Sequence, residues 1–585
     1  MTTTTSEYTL YPKAKPTGEL PPKILGRLDE RYVNHDEWSR TSASAVSVAD
    51  YGATPGVTAS QSEAFQSTVD AAASAGVPVT VPVGVWTMTS TLQLPAGTSL
   101  HMEKGAVLDW SASSATLYLD VRGTVGAEVS LSAPIVRGAR SIPWSGDALQ
   151  AGDWVIIRSA DIFDPDSTSV CHGELVQIRA VEAGVAHLMT PMCDDYRSDV
   201  RLTPVSMVSN VEVSGGTIRG NRVAGSGRNG VRVQYTDGLR LNGVRFEDID
   251  DCHVSIRDSV DAWGSWCEFE WAESNVMGYA MSFADTTRDS GCLWGTFRGV
   301  RHTLSTNNTT TAHRGGIVRR ILFFGNTIEY TTRALAGSQA GGDAVDTHTA
   351  AEDIWIIRNM ISGSLGQSIN VECPSARIED NDIYGGMGLG ISYHNESGRA
   401  GDVSITGNRV YDCQGTGIYA RSGNRGSGIP PMETLLVADN RVRDVTGDGI
   451  LVGYIRQDRG AVVTGNRVAR AQGVPLRMRK QTGLVAHGNN VYGGASIGVE
   501  YADVVGGVLG PDSIEAGSPT GAWTGVKATN VTRSKLTPGA VQSSDPASVG
   551  VEIGSSCSYL ALGPTAHLGV ETPLVNNGPA TVRAY

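Results

Sequence analysis

The chain has 585 residues, 40% of them hydrophobic and only 18% charged, with a formal net charge of −13. That apolar content can bury a large core, but no basic stripe exists that could neutralise phosphates, so nucleic acid is not expected as a partner. No run of about 18 apolar residues occurs, so no membrane insertion is expected. The opening MTTTTSEYTLYPKAKP lacks the basic and apolar regions of a secretion signal, which predicts synthesis in a cytoplasm without export.

Residues 1–42 are rich in Thr, Pro and charge and show little apolar periodicity. They read as an arm that orders on a partner. From Val46 the pattern changes. Ser60 followed by Glu63 reads as a capping box, Phe65, Val69 and Ala72 share one helix face, and Gly76 ends the helix. One amphipathic helix ahead of many strands would plug the open end of a solenoid, whose last coil otherwise exposes core and strand edges. Residues 43–139 are therefore expected to form this cap and the first coils. Residues 140–205 break the rhythm, and the runs Trp154 to Arg158, Leu175 to Val181 and Val185 to Met189 predict a small β-rich insertion. Coils resume at Val208, so 206–510 are expected to form the main solenoid. The Ser-, Thr-, Pro- and Gly-rich residues 511–585 would cover its lower end.

One phrase recurs through the main solenoid: an Asn, an apolar alternating run and a Gly-rich turn, as in GNTIEYTTRAL, RNMISGSLGQSI, DNDIYGGMGLGI and GNRVYDCQGTGI. The Asn residues stand at 326, 359, 381, 408, 440, 466 and 489. A period in the twenties that tolerates insertions marks a stacked solenoid. Its runs, such as Ile354-Trp355-Ile356-Ile357, lack helical spacing, and three short strands with three turns use about twenty-odd residues. The fold class is therefore all-β, a parallel β-helix. Each Asn is expected to hold a tight turn, tolerating left-handed φ, and to stack on its neighbours as an internal amide ladder. The 71 Gly suit a fold made of turns. Eight scattered Cys without metal-ligand spacing predict buried free thiols.

Alternation along a strand decides which side chains face outward. Aligning Asn359 with Asn381, a step of 22, puts Asp346 above Ser368, His348 above Asn370 and Ala350 above Glu372. Ile369, Val371, Ile391 and Tyr393 then point inward. Asp346, His348, Asn370, Glu372, Ser392 and His394 point outward, followed on the same face by Tyr419 and Arg421. An exposed strip of carboxylates, imidazoles, Arg and Tyr suits a polysaccharide, whose cleavage needs a proton donor and a base or nucleophile. Asp346 and Glu372 are the pair expected to carry the chemistry. No metal ligands are assigned and no cofactor is expected, although elimination chemistry would admit a divalent cation.

The passage from Val46, with its DYGA turn, helix and VPVGVW strand, resembles the start of the pectate-lyase-like superfamily as found in bacteriophage tailspikes. The later GNxV coils extend the resemblance to about residue 500. It implies a right-handed β-helix, a homotrimer joined by the C-terminal region, and attachment of the N-terminal arm to a phage tail or baseplate protein, so location in the virion tail. It also implies that the insertion lies beside the helix and helps to bind glycan; a decorative loop domain is the plain alternative. Arg301-His302, then Asp343, Asp346, His348 and Glu352, resemble an "RH … DTH … AE" pattern of phage-type β-helix proteins. On this reading Asp346, Glu372, His348, His302 and Arg301 act in catalysis, and Asp343, Asn370, His394, Tyr419 and Arg421 bind a bacterial surface polysaccharide, which is hydrolysed or cleaved by β-elimination. The alternatives are a receptor-binding fibre without catalysis, a stand-alone bacterial polysaccharide lyase or epimerase, and, for the residues themselves, an ion-pair network bracing adjacent coils.

Three other groups are read more plainly. Trp263, Trp266, Trp271 and Trp294 are expected mainly in core packing. Asp248, Asp250 and Asp251 are expected in a solvated turn. His35, His187, His487 and His567 stand alone and read as structural or solvated.

Overall fold

The structure, a computed structural model, describes residues 45–584 except 145, 147–148, 164–169, 222–226, 273–277, 309–314, 332–341, 396, 398, 400, 423–433, 454–457, 511, 518–522, 544–546, 564, 569–571 and 578–582. The expected N-terminal arm and His35 lie outside the described residues. Among the described residues no helix is long and apolar enough to cross a membrane.

One α-helix, Ser62–Ala75, buries Phe65, Val69 and Ala72 in the solenoid core, with Phe65 set edge-on to Trp86 at 5.5 Å. Gly76 ends it in the left-handed conformation, and its N–H returns to the carbonyls of Ala72 and Ala73. The expected capping box at Ser60 and Glu63 does not form. Gln61 occupies the N-cap, and its side chain is engaged elsewhere, donating to the Ala59 carbonyl and accepting from the Thr54 N–H. A capping box does form one element earlier, where Ser47 and Asp50 close the short 3₁₀ turn Val48–Tyr51.

Beyond the cap, the chain winds through three series of parallel strands, each pairing with its counterpart one coil on. The first sheet runs through Tyr279–Ala284, His302–Asn307, Val345–Thr347, Ile369–Val371, Ile391–Asn395 and Ile418–Ser422. The second includes Val318–Phe324, Ala351–Ile357 and Ala376–Glu379. The third includes Met360–Ser362, Asp382–Tyr384, Arg409–Tyr411 and Arg441–Arg443. Coils continue to Arg583–Ala584. Inward residues form one continuous apolar core from Val48 to Leu560, so each coil is stabilised mainly by burial against its neighbours, at about 1.5–3 kcal/mol per large aliphatic side chain. Phe246, Phe269 and Phe297 stack within it at 5.2 and 4.8 Å. All eight Cys are free thiols, and all but Cys193 are buried.

The Asn residues form the expected ladder between the second and third sheets. Each side-chain amide donates to the Oδ1 of the next, from Asn326 to Asn359 at 2.9 Å through Asn466 to Asn489 at 3.0 Å, where Asp512 accepts in place of an amide. The same Oδ1 also accepts the backbone N–H of the Asn above it, as for Asn326 at 3.0 Å. The left-handed residue of the turn is not the Asn, however, but the one before it: Gly325, Arg358, Asp380, Gly407, Asp439, Gly465 and Gly488 all have φ between 55° and 70°. That bend turns the Asn side chain inward, where its full complement of bonds satisfies it.

Strands between Thr124 and Ser206 leave this winding and form a separate antiparallel sheet with its own core around Ile142, Val155, Val176, Tyr196 and Leu202. Buried ion pairs tie it to the coils. Asp194 meets Arg319 at 2.6 Å and also Arg399, while Glu352 meets the same two arginines at 3.0 and 2.7 Å. Arg158 reaches Asp258 at 2.7 Å. Removing one member of such a buried network strands the others, at about 3–5 kcal/mol.

Candidate functional site on the first sheet

The outer face of the first sheet gathers the charged residues of three consecutive coils. Pairing sets Asp346 beside Asn370, Asn370 beside Ser392, and Ser392 beside Tyr419, while His394 lies beside Arg421. Asp346 therefore neighbours Asn370, not Ser368 as the Asn spacing predicts; the first-sheet step is 24 residues where the ladder step is 22. The two extra residues sit between the first and second sheets, where Ile354 pairs with Ala376 at the shorter step. A slip of two keeps every side chain on its predicted face. Ile369, Val371, Ile391 and Tyr393 are in the core as expected.

A local irregularity adds the group that matters most. Ala344 and Val345 both turn into the core, so Asp343 and Asp346, which flank them, share the outer face. One oxygen from each carboxylate and one nitrogen of His302 lie within 4.8 Å of one another, a set that could also hold a divalent cation. His302 Nδ1 and His348 Nε2 each stand 3.5 Å from Asp346 Oδ2. The Asn370 amide bridges the carboxylates, donating to Asp346 Oδ1 at 3.1 Å and to Glu372 Oε1 at 3.2 Å, and His394 Nε2 approaches Glu372 at 3.3 Å. Asp343 accepts the Gln367 N–H at 2.5 Å. Tyr419 lies under the Arg421 guanidinium at 5.1 Å.

The cluster is less open than a flat exposed strip. Asp346 is 5% exposed, Asn370 and His302 are similarly enclosed, and His348, with 38% of its side chain exposed, forms the solvent edge. Enclosure splits the two aspartates. Burial, then the charges of Asp346 and Glu372, pushes Asp343 up to about 8. Burial also works against ionised Asp346, but His348, His302, the Asn370 hydrogen bond and Arg301 outweigh it and hold Asp346 below the usual carboxylate range. Burial takes His302 down to about 4, against the pull of Asp346. Oδ1 of Asn370 is buried with no hydrogen-bond partner among the described residues, where a polar ligand could supply one.

Sequence reasoning missed Tyr279, which sets its ring edge against His302 at 5.1 Å and is pushed up to about 12 by burial and by Asp346. It pairs with His302 one coil on, a step of 23 that lies ahead of the Asn series and so carries no signal in it. Glu352, part of the motif, instead braces the insertion. The aromatic residues divide: Trp263 is buried as expected, but Trp266 is 57% exposed and stacks on Trp294 at 4.9 Å. Asp250 is buried, not solvated, because it caps the Arg228 N–H at 3.0 Å. His187 is half-buried and His487 exposed, while nothing is described of the His567 side chain. A cavity of about 480 Å³ lies between the insertion and the coils, lined by Arg137, Phe163, His172, Glu352, Arg399 and Asp402.

Winding, ladder and outward cluster together define a right-handed parallel β-helix, and residues 296–454 match the family model described as a right handed beta helix region. The solved tailspike protein gp49 of Pseudomonas phage LKA1 is similar in fold, at 16% identity over 88% of this chain and 84% of that one, with a TM-score of 0.51. The tailspike gp61 of Pseudomonas phage phi297 aligns at 15% identity over 79% of this chain and 80% of that one, with a TM-score of 0.48. No curated protein matches the sequence.

Proposed function

We propose that this protein is a tailspike-like depolymerase that binds a bacterial surface polysaccharide along the first sheet and hydrolyses it with Asp343 and Asp346. The observation that carries this reading is a pair of carboxyls with oxygens within 4.8 Å of one another on an outer wall, one pushed above and one held below the usual carboxylate range. Environments that drive two titratable groups apart assign the acid and its partner. Asp343 would protonate the glycosidic oxygen as its own O–H breaks. Ionised Asp346, steadied by Asn370 and the flanking imidazoles, would attack the anomeric carbon to form a glycosyl ester. Asp343, now a carboxylate, would then take a proton from the water that cleaves the ester. The short separation within the cluster suits this retaining route, at about 5 Å between carboxyls, better than an inverting one at about 6.5–9.5 Å. Glu372, with His394, Tyr419 and Arg421 below it, would bind the sugar, so Asp343 takes the place of Glu372 as the catalytic partner of Asp346.

β-Elimination is the second reading, favoured by the positive field of Arg301 on Asp343 and Asp346, which could neutralise a uronate beside His302. The shared fold with a tailspike supports a virion location, a homotrimer and an attachment role for residues 1–42. Incubation with purified capsular and O-antigen polysaccharides, with product sizing and ultraviolet absorbance, tests all of this. Shortened chains without an unsaturated-uronate band support hydrolysis, the band supports elimination, and unchanged chain length across the panel sinks catalysis in favour of a receptor-binding fibre. Deleting residues 1–42 should abolish incorporation into virions and spare cleavage.

A further inference from the structure

The outer face of the third sheet changes character along the axis. In its upper coils Arg219, Arg245 and Arg298 alternate with Glu247, Glu270 and Glu329, and every arginine is paired, as Arg245 is with Glu270 at 2.8 Å and Arg298 with Glu329 at 2.8 Å. Lower down, Arg409, Arg441 and Arg467 stand in register on successive exposed strands. Arg409 pairs with Asp382, but Arg441 and Arg467 form no ion pair among the described residues. Neighbouring strands lie about 4.8 Å apart, and like charges directly opposite are destabilising. Asp444, just past the strand Arg441–Arg443, is taken by Arg470 at 2.5 Å and Arg443 at 3.1 Å.

The adjacent column on the same face carries tyrosines towards both ends. Tyr384 pairs with Tyr411, Tyr411 with Arg443, Arg443 with Ala469, and Ala469 with Tyr492. Tyr384 is 58% and Tyr492 39% exposed, and the Arg443 guanidinium covers the Tyr411 ring at 4.7 Å. Guanidinium groups take carboxylates in paired hydrogen bonds, and tyrosine offers both a flat apolar face and a hydroxyl. Three in-register arginines are a small footprint for a duplex.

We propose that this face is a second, non-cleaving binding strip that takes an acidic polysaccharide, with Arg441 and Arg467 on its carboxylates and Tyr384 against a sugar ring. It is independent of whether the first sheet cleaves anything. The test uses the full chain with two probes, polygalacturonate and neutral dextran, in affinity electrophoresis and calorimetry. Polygalacturonate should bind, more weakly as salt rises, and dextran should not. Arg441→Glu with Arg467→Glu should weaken polygalacturonate binding about tenfold or more, and Tyr384→Ala several-fold, at unchanged thermal midpoint. Asp346→Asn should leave that binding intact. If the charge-reversed pair does not fold, Arg441→Gln with Arg467→Gln replaces it. Unchanged binding in the folded double variant overturns the proposal, as does equal retention of dextran or of duplex DNA. A drop in solution mass with unchanged binding overturns it too, showing a contact between copies of the chain.

Discussion

Two columns of polar residues run along this solenoid, and they obey opposite rules. The amide ladder from Asn326 to Asn489 repeats one neutral group, each member giving and receiving bonds, deep between two sheets. The first-sheet cluster repeats nothing: its step lengthens, its strand kinks at Ala344-Val345, and two aspartates face each other among histidines. The ladder is satisfied and so stabilises; the cluster is frustrated, with a carboxyl forced to keep its proton. Strain of this kind persists in a fold only where the surroundings impose it, and it concentrates at functional sites.

The largest expected effect comes from the frustrated column. Asp343→Asn or Asp346→Asn should lower turnover of the cleaved polysaccharide by about 10³-fold in a chain that still folds, since general acid and nucleophile act only in the reaction. Near-normal rates in both variants would dissolve the distinction. The ladder should answer the other way. Asn408→Leu removes the acceptor of the Asn381 amide and N–H and the donor to the Ile378 carbonyl, and should cost about 3 kcal/mol in denaturant unfolding without changing turnover of the folded fraction.

Acidity sharpens the contrast. Asp343 in the fold titrates above its unfolded value near 4, so its stabilising contribution is complete below that value and is lost as pH rises towards about 8. Melts taken across pH 4–8 should show Asp343→Asn gaining on the parent chain, and cleavage by the parent should fall above about pH 8. His253 has the reverse sign: it is buried beside Phe246 and Phe269, and burial holds it down to about 3. Its contribution is present above the unfolded value near 6.5 and lost as pH falls towards about 3. His253→Phe should therefore gain on the parent below pH 6 and differ from it by about 1 kcal/mol or less at pH 8. The smallest effect belongs to the upper third sheet, where Arg298→Ala, breaking partly exposed pairs, should change stability by about 1 kcal/mol or less.

Much of this was legible in the residues. The Asn phrase disclosed the winding, and strand alternation put Asp346, His348, Asn370, Glu372, His394, Tyr419 and Arg421 on one outward face. Register was off by two, because turn length between sheets leaves no mark in the spacing of the Asn residues. Asp343 read as a binder, since nothing in GGDAVD reveals that two neighbouring apolar residues turn inward together. Tyr279 lies 67 residues before Asp346 and carries no motif, yet it feels that carboxylate's charge.

The sequence by itself determined the repeat, the inward and outward faces and the identity of the ladder, because these depend on local periodicity and on side chains that recur at each coil. Only the tertiary structure decided which carboxyl is pushed up and which is held down, that Asp194 and Glu352 hold the insertion through Arg319 and Arg399, and that Arg441 and Arg467 stand in register on the third sheet with no ion pair among the described residues. Charge and burial are set by everything within a few ångströms, and in a solenoid those neighbours come from coils more than twenty residues away, or, for the insertion, more than a hundred.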